Sequence, residues 1–279
     1  MQLTSMVDQL TTGADATTYE DVVNRFGRSQ RASGELRRWR ALPGKAPVVS
    51  FAEQMQTRAA YLISPEHVEE ACEATRHALE GPAGQRLRRS IGESVTEIAN
   101  WYPNFPIVHS LYWAVEHLQR PPLWDEFIAL WREQEPARTM LGLPAAQAIA
   151  TAEQAGRSRA DAEEAMWWRL GNAYYSLLRE LYVLAVLRDT GRAVEYHVLA
   201  DALFRVDFWL GDTVISLFVA NARYRDAEGA GRKLTARRLL SDFPGFKFVE
   251  MPRLTRREYG TVHLPSRAEI EQFADRFLT

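Results

Sequence analysis

Hydrophobic residues in roughly the first 190 positions recur at helical rather than strand spacing, and the period changes only after that. Residues 1–17 are polar and threonine-rich. A short helix is expected from Tyr19 to about Phe26, with Thr17 or Thr18 as its cap. Ser64-Pro65-Glu66 opens another. Ser accepts hydrogen bonds from N–H groups that lack an intrahelical partner, Pro loses nothing at the first helical position, and Glu complements the positive helix end. That helix runs to about Leu79 and stops at Gly81-Pro82. Helices follow over about 85–100, 105–117 and 123–134, interrupted at Tyr102-Pro103 and Pro121-Pro122. Residues 136–160 hold a boundary or a connecting helix. The pattern therefore predicts a mainly helical domain or subdomain over 1–150 and an α/β domain over 151–279.

The second half opens with the longest helical pattern, Asp161 to Arg188, whose stripe is Leu170, Ala173, Tyr174, Leu177, Leu181, Leu184 and Leu187. Strands are then predicted at Ala193–Leu199, Leu203–Leu210 and Thr213–Asn221. Gly211-Asp212 has the composition of a two-residue hairpin turn. A helix over about 232–240, a strand over Phe246–Met251 and a last helix capped by Ser266 complete the chain.

Composition narrows the function classes. The chain has 279 residues, 46% hydrophobic and 25% charged, with a net charge of −2, so no global pull toward polyanions exists. The single cysteine, Cys72, excludes an internal disulfide framework and fits a reducing compartment. No apolar run reaches membrane-spanning length and the N-terminus has no secretory pattern, so a cytoplasmic protein without membrane contact is expected. Charge is uneven, however. Between 222 and 257 there are ten basic residues against four acidic ones, and an arginine-rich stretch covers residues 25–40. Both point to a polyanion partner, against the plainer reading of solvated basic surfaces.

The predicted order α-β-β-β-α-β, over about residues 161–251, resembles the core of the PD-(D/E)xK nuclease superfamily. The fold class expected is therefore α/β (α+β): a helical N-terminal half followed by a restriction-endonuclease-like core with a mixed sheet. The resemblance implies a DNA partner, Mg²⁺ as cofactor, phosphodiester hydrolysis and a setting in restriction or phage defence. A homodimer is implied if both strands are cut. The superfamily's helix acid falls on Glu180 and its strand aspartate on Asp207, the implied metal ligands. Its acid-x-lysine motif has no counterpart in Thr213–Asn221. A strict hairpin puts Ser216-Leu217-Phe218 in that slot, whereas a bulge puts Val219-Ala220-Asn221 there, with Asn221 at the lysine position and Arg223 or Lys233 as the displaced cation. Arg25, Arg28, Arg37, Arg38, Arg225, Arg232 and Arg237 are the implied nucleic-acid contacts.

Two alternatives stay open. The same fold without catalysis would serve as a DNA-recognition or assembly subunit, which the missing acid-x-lysine favours. An unrelated metal-dependent enzyme would use Glu195 and His197, which share a strand face by the period of two, with Asp201 and Asp207.

Overall fold

The computed structural model describes residues 16–42, 46–79, 89–101, 104–219, 235–253 and 263–278. It is a mainly helical α+β structure. A two-residue strand β1 (Thr17–Thr18) pairs antiparallel with β2 (Gln56–Thr57). Between them lie α1 (Tyr19–Phe26), α2 (Gln30–Ala41) and α3 (Ala46–Gln54). Thr18 caps α1 in a reciprocal box: its hydroxyl accepts from the Asp21 N–H, and the Asp21 carboxylate accepts from the Thr18 N–H. The arginine-rich stretch is largely α2, capped by the Ser29 hydroxyl. A 3₁₀ turn (Ala59–Tyr61) follows β2, then α4 (Pro65–Leu79), α5 (Arg89–Ser94), α6 (Thr96–Ala99), α7 (Asn104–Leu118) and α8 (Trp124–Glu133). Residues 136–160 hold a wide π turn (Arg138–Gly142) and α9 (Leu143–Gln154).

The spine is α10 (Arg159–Asp189), started by the Ser158 hydroxyl accepting from the Asp161 N–H. From Leu181 to Leu187 every residue is buried, so this part of the helix is enclosed on all sides. A three-stranded sheet packs beside it: β3 (Phe208–Leu210), β4 (Thr213–Val219) and β5 (Lys247–Arg253), in that order. β3 and β4 are antiparallel, with Leu210 opposite Thr213, so Gly211-Asp212 is the two-residue turn expected. β4 and β5 are parallel, and the crossover between them includes α11 (Ala236–Leu239). The last helix, α12 (Arg267–Phe277), packs on α10; Ser266 precedes it but makes no side-chain cap bond.

The period of two divides the sheet between two cores. Phe208, Ile215, Leu217, Val249 and Met251 face the large core around α10. Trp209 and Val214 face a smaller core built from α1, α2, α3 and the segment 199–206, with Ala236 and Leu239 of α11. The sheet is thus a middle layer between helices. Both cores draw on residues from either side of position 150.

The structure corrects two predicted strands. Ala193–Leu199 forms only one bridge, Glu195 to Trp209, closed by both backbone hydrogen bonds. The Tyr61 hydroxyl accepts the Tyr196 N–H and donates to the Tyr196 carbonyl, each at 2.9 Å, on the side away from β3, while the His197 carbonyl that would continue the ladder accepts the Asp201 N–H at 3.2 Å. Leu203–Leu210 shrinks to Phe208–Leu210, because Ala200–Phe204 is a π turn ended by Arg205 in the left-handed region (φ 63°). The order realised after α10 is therefore bridge, π turn, β, β, short helix, β.

Candidate functional site

Tyr112, on the apolar helix α7, and Tyr196 stack with ring centroids 4.1 Å apart and both are fully buried. Neither hydroxyl makes a hydrogen bond of ordinary geometry, although the two phenols are close enough to influence one another. Burial first, then the carboxylates Glu180, Asp201 and Asp207, hold the Tyr112 hydroxyl far above its usual pKa. Burial, Tyr112 and then Asp201 and Glu180 do the same to Tyr196. Acids from α10, the π turn and the residue before β3 thus all act on Tyr112, and the first two act on Tyr196 as well. Burial depresses the Arg205 pKa, and Asp201, Glu35 and Asp207 oppose that depression, so the half-buried guanidinium belongs to the same neighbourhood. Sequence reasoning missed Tyr112 and Tyr196; their only signal was a polar-tipped ring inside an otherwise apolar run.

Asp207 has a local task. Pairing of β3 with β4 ends at Phe208 and Ile215. A longer β3 would have offered the Leu217 N–H the carbonyl of residue 206; instead Asp207 Oδ2 accepts it at 2.6 Å. The carboxylate ends the strand by satisfying a donor that burial would otherwise orphan. Glu180 is half-buried and its Oε1 accepts from the Ser176 hydroxyl one helical turn earlier, at 3.3 Å. The strict hairpin register puts Ser216 opposite Asp207, so the acid-x-lysine slot reads Ser216-Leu217-Phe218. The bulged alternative that would bring Asn221 into register is not what the described part of the hairpin adopts. Asn221, Arg223, Arg225, Arg232 and Lys233 lie outside the described residues.

Glu195 and His197 do not share a face. His197 is fully buried, its Nδ1 accepting the Leu199 N–H at 3.1 Å and its Nε2–H donating to the Met55 carbonyl at 3.2 Å. Both ring nitrogens are committed, and burial lowers the pKa to about 4. Glu195 instead lines an open cleft of about 470 Å³ with Asp21, Arg25, Arg28 and Asp212. The metal constellation built on this pair is therefore not formed. Cys72 is likewise unsuited to nucleophilic work, its thiol pushed up to about 12 by burial.

The two basic stretches meet in space. The Ser29 hydroxyl donates to the Leu239 carbonyl and to Asp242, whose other oxygen accepts from the Gln30 N–H at the start of α2. Arg31 donates to the Arg238 carbonyl and the Ser241 hydroxyl. Arg28 just before α2 and Arg31 within it thus lie next to the end of α11 that carries Arg238, with Arg237 also on that helix. All four are exposed and have no carboxylate partner among the described residues. Arg37, exposed on the outer side of α2, also lacks such a partner; Arg38 pairs with Glu35, and Arg25 with Asp212 and the Gly211 carbonyl. Arg237 lies 5.3 Å from the centre of the Phe248 ring.

Among the described residues no three His, Cys, Asp or Glu side chains gather closely enough to bind a metal, and no helix is long and apolar enough to cross a membrane. No known family model, curated protein or solved structure matches this chain.

Proposed function

We propose that this chain is a DNA-directed protein with a nuclease-like core, acting as a Mg²⁺-dependent phosphodiester hydrolase in a restriction or phage-defence setting. What supports this reading is that Glu180 of the long helix and Asp207 just before the hairpin both act on the buried Tyr112 hydroxyl and raise its pKa. A carboxylate set into apolar surroundings is costly unless it is hydrogen-bonded, paired or bound to a cation. The donor set fits the ion: Mg²⁺ is commonly held by one or two carboxylates together with substrate phosphates and water, rather than by an all-protein cage. Glu180 and Asp207 would hold it, and when bound it supplies polarisation of the phosphate and a lowered pKa for the attacking water. The chain's own contribution is placement. The Leu217 N–H fixes Asp207, and Ser176 orients Glu180. The surface around Arg28, Arg31 and Arg238 holds the DNA backbone through its charge without reading bases.

A second reading has its own support. Continued by one residue, the hairpin register would set Ser216 opposite Asp207 and leave the Ser216-Leu217-Phe218 slot without acid or amine, which suits a recognition or assembly subunit that binds DNA and does not cut it. One experiment separates the two. Wild type, Glu180→Gln and Asp207→Asn are incubated with plasmid DNA in Mg²⁺ or in chelator, and binding is followed in parallel by gel shift. Cleavage by the wild type that needs Mg²⁺ and is lost in both variants, with binding kept, is the expected result. Binding without cleavage in all three would leave the recognition subunit, and absence of both would end the DNA reading.

A further inference from the structure

We propose that the crevice between α8, α9 and the first half of α10 is a binding site for a small planar aromatic anion, independent of the carboxylate cluster. The crevice encloses about 430 Å³, and its walls include Trp131, Arg132, Arg138, Ala146, Met166 and Trp167. That volume falls in the range of small-molecule sites. Trp167 lies thirteen residues before Glu180 on α10, about 20 Å along the helix axis.

The crevice is built by close packing. A Cβ added at Gly142 would stand 2.3 Å from the Trp131 carbonyl oxygen, so only glycine lets the π turn press against α8 at this point. π turns of this kind recur at functional sites because they re-aim side chains. Here the turn carries Arg138 toward the crevice, and Leu143, 49% exposed, follows it at the rim. The Trp131 and Trp167 rings stand 6.4 Å apart at 63°, giving two aromatic walls that meet at an angle. The Trp131 indole N–H is buried and has no hydrogen-bond partner.

Charge selects the ligand class. Arg159 is held by Glu163 at 2.8 Å and Glu153 at 3.7 Å, so that rim charge is already answered. Arg138 pairs with Glu135. Arg132 differs: its guanidinium lies 4.5 Å from the centre of the Trp167 ring and has no carboxylate partner among the described residues. A flat ring bearing one carboxylate or sulfonate would stack on the indole and Leu143 while its charge meets Arg132, whose fork accommodates such an anion.

The test uses 2-naphthoate as probe, with 2-naphthylmethanol and 2-naphthylmethylamine as the neutral and cationic counterparts, by titration calorimetry on the full chain. Saturable binding of the naphthoate is expected, with the alcohol weaker by about tenfold, the scale of one charge-assisted hydrogen bond. Arg132→Gln removes that preference. Ala146→Trp, at an exposed position, fills the crevice and abolishes binding, and Leu143→Glu at the mouth repels the anion should the larger residue disturb the fold. Equal binding of all three probes, naphthoate binding untouched by these variants, or none at millimolar concentration would each overturn the proposal.

Discussion

Two polar side chains, buried His197 and half-buried Asp207, bear on stability by different routes. His197 is neutral in the folded protein, with a pKa of about 4, whereas in an unfolded chain it takes up a proton near 6.5. The unfolded state therefore binds more protons between these values. Its contribution is intact above about 6.5 and is lost as pH falls toward about 4, a change on the order of 3 kcal/mol. Glu116 and Glu195, whose pKa values burial raises, oppose this near the acid end, so the comparison with His197→Asn isolates the imidazole. Denaturant unfolding across that range should show a steeper acid loss in wild type than in the variant. At Asp207 the expected cost of Asp207→Ala is about 1–3 kcal/mol, because the Leu217 N–H loses its acceptor. Asp207→Asn, which keeps an amide oxygen, should lose less in the same measurement. The sequence identified Asp207 as out of place in a strand. It did not reveal that the residue stands just before the strand and ends it, since that depends on where β3 begins. For His197, alternation put the ring on the same face as Glu195, and the contact that overrules it comes from Met55, far away in the chain.

Among the elements, glycine separates two kinds of helical position. Gly142→Ala forces a methyl group against the Trp131 backbone carbonyl, which cannot swing aside, and should destabilise by about 1–3 kcal/mol. Gly34, inside α2, has open space where a Cβ would go, so Gly34→Ala should stabilise by about 0.5–1 kcal/mol. Thermal melts of the two single variants check the opposite signs. The long periodic helices, the Gly211-Asp212 hairpin and the strand near 247–253 were legible because their signals are local: caps, spacing and turn residues. The segment 193–207 was not. Its residues alternate and are β-prone, yet the Tyr61 hydroxyl occupies the backbone of Tyr196 and the His197 ring starts a helical turn. Tertiary contacts of this kind override strand propensity, which is itself mostly a statement about packing.

Across the whole molecule, the decisive event is the meeting of distant stretches. Two arginine-rich segments that look independent along the chain are joined through Asp242 and the Arg31 hydrogen bonds. If this surface holds DNA by its phosphates, Arg28→Ala and Arg238→Ala should weaken binding to all sequences alike. Each should reduce the slope of log affinity against log salt by about 1, read from gel shifts at several salt concentrations. Glu180 and Asp207, both of which raise the pKa of Tyr112, were the residues of the candidate site that the sequence singled out. The aromatic pair beneath them was not, because Tyr112 comes from the helical half. The sheet's placement between two cores has a further consequence during synthesis. As the chain leaves the ribosome, α1 to α3 emerge with apolar sides whose cover, the β3–β5 layer and α11, is encoded more than a hundred residues later. The growing polypeptide must keep those sides from sticking to its neighbours until Arg253 has been added, so its yield in a cell depends on how quickly translation reaches the final strand.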